Sequence, residues 1–149
     1  MQRTSSTYHN DGVDEHGTAI HGGPDYASWA NGVHAATSQS HLHNITTHTC
    51  EIEGREAHAE SYVLVILLSP DAKTATVMCG RYLDRLERRD GVWRIALRRS
   101  TVELAFNADA SLLQSRFFTE QHYIRGTRDS NDLSYQRPLQ LESDGMDRW

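Results

Sequence analysis

Between residues 41 and 106, apolar positions recur with the two-residue period of half-buried strands, and turn-forming residues cut the stretch into four segments. Residues 41–53 and 56–68 form a predicted hairpin about Glu53-Gly54. Ser69-Pro70-Asp71-Ala72-Lys73 supplies the next turn and residues 75–88 a third strand. Asp90-Gly91 is a strong hairpin signal before a fourth strand over 92–106. Long strands joined by tight turns make a meander, and one of this length must twist and curl. The expected product is a curved antiparallel sheet that lines a small-molecule pocket.

Upstream the period changes. Tyr26, Trp29, Ala30, Val33 and Ala36 follow at helical spacing after Gly22-Gly23-Pro24-Asp25, which predicts a short helix over 24–37. Residues 12–17, between two glycines, suggest a short edge strand. Beyond Asn107 the pattern weakens to a possible helical turn over 110–116, and from Gly126 the chain is polar. The division expected is a domain over 1–125 and a polar C-terminal tail over 126–149. One short helix covers only part of such a sheet. A partner copy is therefore expected, as a homodimer or higher homo-oligomer, because an uncovered apolar face seeks burial.

Composition narrows the function. A chain of 149 residues suits a single domain, and a net charge of −5 argues against nucleic acid as a partner. Seven arginines against three acids in residues 81–99 suggest the solvated face of two paired strands, with an anion site as the alternative. The longest apolar run, Tyr62 to Leu68, is far below the ~20 residues of a membrane helix. With no apolar leader-like segment at the N-terminus, no membrane partner is expected and the location expected is cytoplasmic. Cys50 and Cys79 each sit in a strand-like run and are expected to be small buried hydrophobes, not a disulfide framework.

Nine histidines are the candidate chemistry. On a strand, His41 and His43 share a face with Ile45, Thr47 and Thr49. A His-x-His pair can hold a metal ion, but the acid that such a motif wants four or five residues later is replaced by Thr47 and His48. No metal and no cofactor are expected. Imidazole also titrates near neutrality and can act as a general base, best with a carboxylate behind it; Asp11, Asp14 and Glu15 are the acids nearest in the chain. Tyr82 could donate a hydrogen bond to a substrate oxygen. Arg99 continues the strand face of Trp93, Ile95 and Leu97, where a buried guanidinium needs an acid or an anionic ligand. No nucleophile elbow, Walker loop or dinucleotide fingerprint is present.

Two blocks resemble SnoaL-like domains of the nuclear-transport-factor-2-like superfamily. The first joins Ser40-His41-Leu42-His43-Asn44, Glu51-Ile52-Glu53-Gly54 and Ala57-His58-Ala59-Glu60-Ser61-Tyr62-Val63; the second runs from Gly80 to Ile95 and ends in Asp90-Gly91-Val92-Trp93-Arg94-Ile95. The resemblance implies an α+β fold, a cone-shaped curved antiparallel sheet with few helices. It also implies a hydrophobic small-molecule ligand. Related enzymes include dehydratases, a dehydrochlorinase, polyketide cyclases and ketosteroid isomerase, many of which abstract a carbon-bound proton without a cofactor. Others of the superfamily are non-catalytic binding or scaffold domains. By position His43 matches the family's strand histidine, and Arg99, or its neighbour Arg98, a pocket arginine. The family's partner aspartate lies on an N-terminal helical segment before the region matching Tyr8, so the resemblance implies that this helical part is missing and leaves Asp14 as the stand-in. The expected site is thus His43, Tyr82, Arg99 and Asp14 for catalysis, with Trp29, His41, Ile45 and Trp93 binding substrate.

Overall fold

Turns at positive φ set the hairpins: Gly54 at 63°, and Asp90 and Gly91 at 51° and 81°, the left-handed pair that a two-residue turn requires. The computed structural model describes residues 7–141 and 146–149. Its strands are β1 (Tyr8–His16), β2 (Ala19–Gly22), β3 (Ser40–Glu53), β4 (Glu56–Leu68), β5 (Thr74–Arg89) and β6 (Val92–Asp109). The helices are α1 (Gly23–Thr37) and α2 (Arg116–Gln121), with 3-10 turns at Ser111–Gln114 and Leu133–Tyr135. The strands form one sheet in the order β2-β1-β6-β5-β4-β3.

The predicted meander is present, and each of its strands lies within three residues of the expected bounds. The segment expected to be a short edge strand is longer. β1 lies inside the sheet, antiparallel to β2 and parallel to β6. A parallel pairing needs a long crossover, which α1 and the β3–β5 meander provide. α1 starts against β1: a Cβ on Gly23 would stand 2.4 Å from the Tyr8 Cβ, so only glycine lets the helix seat there.

Two bulges on β6 set which side chains face inward. Its pairing with β5 shifts between Arg85 and Leu86 and again between Cys79 and Gly80. One extra residue reverses the alternation. Ile95 pairs with Leu86, but beyond the bulge Arg98 stands opposite Asp84 and Ser100 opposite Tyr82. Arg99 therefore falls on the outer face. β3 carries a similar shift between Ile45 and His48, after which His48, Cys50 and Ile52 pair with Ser61, Ala59 and Ala57. The face expected to run on through Thr47 and Thr49 runs instead through His48 and Cys50.

The core is small: Tyr8, Ala57, Ala59, Val63, Val65, Leu68, Ile95 and Ala96 are buried. α1 covers the end of the sheet nearest β1 and β2. Elsewhere Ile45, Ile52, Val102, Leu104 and Phe106 are about half exposed or more. Cys50 is exposed and Cys79 partly so, a correction to their expected burial that follows from the thin cover over this part of the sheet. Five of the seven arginines in the stretch pair with carboxylates: Arg81 with Glu60 and Glu103, Arg85 with Glu87, Arg89 with Asp11 and Glu87, Arg98 with Asp84, and Arg99 with Glu15. Residues after Gly126 reach back onto the body, where the Arg128 guanidinium donates to His34 O, Ser38 O and Ser38 Oγ at 2.9–3.0 Å. No helix among the described residues is long and apolar enough to cross a membrane.

Candidate functional site

Between α1 and the concave face of the sheet lies a cavity of about 170 Å³. Tyr26, Trp29, Ala30 and Val33 form its helical side, and Val63, Val65 and Met78 its apolar floor. Polar groups converge from opposite directions: His16, Tyr82 and Ser100 on one side, His34 and His43 on the other. A mostly apolar chamber with a few directed polar groups is the usual form of a small-molecule site.

The first polar group is built on β1. Asp14 has no exposed surface. It accepts hydrogen bonds from the Tyr8 hydroxyl and from His16 Nδ1. A carboxylate accepts only, so the His16 ring carries a proton on Nδ1 and turns Nε2 away from Asp14. Among the described residues, Nε2 meets Ser100 Oγ at 3.2 Å and Tyr26 Oη at 3.4 Å, both at the long end of hydrogen-bond range. Ser100 Oγ is also 3.4 Å from Nδ1, so it lies nearly equidistant from both ring nitrogens, not in line with Nε2. That off-line placement argues against an Asp-His-Ser nucleophile arrangement.

Arg98 supports this side from beneath. It holds Asp84 through two bonds of 2.7 and 2.6 Å, and its guanidinium lies 4.3 Å above the Tyr82 ring. Burial raises the Tyr82 phenol above its ordinary pKa, with Arg98 opposing, so its hydroxyl stays a donor at any physiological pH. Tyr26 is raised by the same cause.

The second group is a cluster of imidazoles. His34 leaves the last turn of α1, and His41 and His43 stand two residues apart on β3. His34 stacks on His41 at 4.2 Å and meets His43 edge-on at 5.2 Å. His41 Nδ1 and His43 Nδ1 are 3.4 Å apart. Burial is the main cause that lowers all three pKa values, that of His34 to about 4; His41 and His43 add to it at His34, and Arg128 at His34 and His41. No carboxylate among the described residues bonds to any of the three.

Of the expected residues, the cavity brings together His43, Tyr82 and Trp29, with His41 beside His43 and Asp14 directly behind His16. It does not include Arg99, Trp93 or Ile45. Arg99 is 62% exposed and bound to Glu15, because the β6 bulge turns it outward and Arg98 inward. Trp93 pairs with Arg88 next to the Asp90-Gly91 turn, away from the chamber. Ile45 faces the same way as His43 but lies 54% exposed beyond the cover of α1. Sequence reasoning missed His16, His34 and Ser100. His16 was within reach, since Asp14 and His16 at i and i+2 share one face of any strand.

The curled sheet, the single long helix over one end and the partly open chamber between them define an α+β cone with a pocket on its concave face. The chain belongs to the SnoaL-like domain family, whose model matches residues 1–99. Hexachlorocyclohexane dehydrochlorinase LinA superposes with a TM-score of 0.65 at 21% identity, over 71% of this chain and 74% of that one. LinA-type3 from Novosphingobium barchaimii LL02 gives 0.64 at 19%, over 70% and 73%. A scytalone dehydratase-like protein from Novosphingobium aromaticivorans gives 0.60 at 18%, over 68% and 70%. No curated protein matches the sequence. At these identities the structural likeness establishes the fold alone.

Proposed function

We propose that the protein is a cofactor-independent lyase or isomerase that removes a carbon-bound proton from a hydrophobic, polycyclic or steroid- or polyketide-like small molecule. The observation that carries this reading is the pair of His16 with the fully buried Asp14, at the wall of the cavity, with Nε2 turned away from the acid toward the cavity-lining Ser100 and Tyr26. Nε2 takes the proton. The electron pair of the broken C–H bond then forms a C=C bond as a leaving group departs, or moves onto a carbonyl oxygen. Asp14 fixes the tautomer and stabilises the imidazolium that results. The Tyr82 hydroxyl, with no bonded partner among the described residues, is free to donate to the oxygen that gains charge. His34 and His43 bound the chamber on the opposite side. The membership of dehydrochlorinase and dehydratase-like proteins in the same fold is consistent with such chemistry.

The test is a turnover panel of hydroxylated polycyclic, steroid-like and cyclic halogenated compounds, read by product formation and by loss of a substrate deuterium. His16→Ala is expected to lower turnover by about 10²–10⁴-fold with the fold retained. If His43→Ala abolishes turnover and His16→Ala does not, the base is His43 and this assignment fails. A non-catalytic binding or scaffold role is the second reading. The apolar strip of Ile52, Val102, Leu104 and Phe106 favours it, since a partner copy would cover such a surface. Ligand-induced thermal stabilisation without product, from a homo-oligomer in light scattering, would support that reading.

A further inference from the structure

The imidazole cluster opposite His16 has no task in proton abstraction. His34, His41 and His43 each present a ring nitrogen, and these three atoms all lie within 4.8 Å of one another. We propose that they form a three-histidine site for a divalent transition ion of the Zn²⁺ or Co²⁺ class, with one coordination position open to the cavity.

Distance is the first support. Two ligands at the ~2.0–2.1 Å of a zinc–imidazole bond, spread at the tetrahedral angle, stand about 3.3–3.4 Å apart. His41 Nδ1 and His43 Nδ1 are separated by 3.4 Å. Two imidazole nitrogens at that spacing make a poor hydrogen bond to each other but a suitable edge of a coordination tetrahedron.

The second support is how the ligands are held. His41 and His43 pair with Leu67 and Val65 on β4, so strand register fixes their common face. His34 is fixed by the end of α1, where its carbonyl accepts from Ser38 N at 3.1 Å, Ser38 Oγ at 2.9 Å and Arg128 Nη1 at 3.0 Å. These contacts fix the backbone from which the His34 ring projects toward β3. His34 Nδ1 is buried with no hydrogen-bond partner among the described residues, an orphan that structures rarely leave without a reason.

Charge indicates what completes the site. The charged and titratable groups facing the cluster are Arg128, from the chain after α2, and His16, across the cavity. With three neutral ligands the ion keeps its full double charge beside a guanidinium. The open position then favours hydroxide or an anionic oxygen, such as a carboxylate, over a neutral donor. His34 and His43 line the chamber, so that oxygen would come from a molecule bound there.

Equilibrium dialysis of chelator-treated full-length protein against Zn²⁺, with metal analysis, is expected to give one ion per chain. Co²⁺ is expected to give the intense visible bands of a four-coordinate site. His41→Ala and His43→Ala, both on an edge strand, are each expected to weaken Zn²⁺ binding by at least about tenfold and to erase the Co²⁺ bands. His34→Asn is expected to do the same. His58→Ala, an exposed histidine elsewhere on β4, should bind as the unmodified chain does. Thermal melting of each variant separates loss of the site from loss of the fold. Zn²⁺ binding well below one ion per chain, or full binding in the folded His41→Ala/His43→Ala double variant, would overturn the proposal. Neither result bears on His16, whose turnover test is separate.

Discussion

On one side of the cavity a histidine stands in front of a fully buried carboxylate; on the other, three histidines stand together with an arginine behind them. His16 has Asp14 on its Nδ1, and Asp14 has Tyr8 on its other oxygen, so ring orientation and tautomer are both determined. The opposite cluster has no acid among the described residues, and Arg128 sits beside it. The difference teaches that neighbours decide which chemistry a histidine is suited to, and it underlies the two roles proposed above. A carboxylate behind the ring stabilises the protonated form and makes a proton acceptor. A cation and two further rings disfavour it and leave lone pairs for another electrophile.

The largest effect should come from removing the carboxylate that creates the contrast. Asp14→Ala leaves the Tyr8 hydroxyl and the His16 N–H without an acceptor in a buried place. Each lost partner costs about 1–3 kcal/mol, so unfolding stability is expected to fall by about 3–5 kcal/mol. In a domain of this size that lowers the melting temperature by about 6–20 °C. Asp14→Asn keeps the shape and should cost less stability, yet lose turnover as His16→Ala does. If calorimetry finds Asp14→Ala as stable as the unmodified chain, the two sides of the cavity do not differ as described.

Next in size is the arginine beneath the acid-backed side. Arg98→Ala would leave Asp84, 8% exposed, as an uncompensated buried charge and remove the cation from the Tyr82 face. Its expected cost is about 3 kcal/mol, measured by denaturant unfolding. That residue also marks where sequence reasoning stopped. The meander, its turns and the helix were legible because period-two alternation, Asp-Gly and Pro-Asp each act over a few residues. Which of Arg98 and Arg99 faces inward was not, because it depends on a bulge opposite Arg85–Leu86 that the alternation does not announce. The parallel pairing of β1 with β6 joins residues 84–87 positions apart and was equally hidden. It places Asp14 beside Arg98 and Glu15 beside Arg99, and so assigns one acid to each face. His34 was hidden for the same reason, since only tertiary packing brings the end of α1 to β3.

The third prediction sharpens the acid-free side. His34 has a folded pKa of about 4, below the ~6.5 of an unfolded histidine. Between those values the unfolded chain binds more protons than the folded one, so stability is full above about pH 6.5 and falls as pH drops toward 4. Lowered values at His41 and His43 act in the same direction. For partly exposed rings, allowing for solvent screening, the loss is about 1–2 kcal/mol in metal-free protein. Melting curves of His34→Asn between pH 4 and 6.5 should be flatter than those of the unmodified chain. An unchanged slope would mean that the burial of His34 does not govern this window.

The smallest effect is the most discriminating for the register of β6. Arg99 and Glu15 form a surface pair outside the cavity, bonded at 2.8 and 3.0 Å. Exposed pairs of this kind contribute little, because water screens the charges and two long side chains lose freedom to meet. Arg99→Ala should therefore leave the melting temperature, ligand binding and turnover at the values of the unmodified chain, while Arg98→Ala one residue away unfolds early. The two variants differ only in which side of a bulged strand they alter. If Arg99→Ala damages turnover and Arg98→Ala does not, the alternation beyond the bulge runs the other way. Arg99 would then face the substrate, and the electrostatic support assigned to Tyr82 would belong to a different residue.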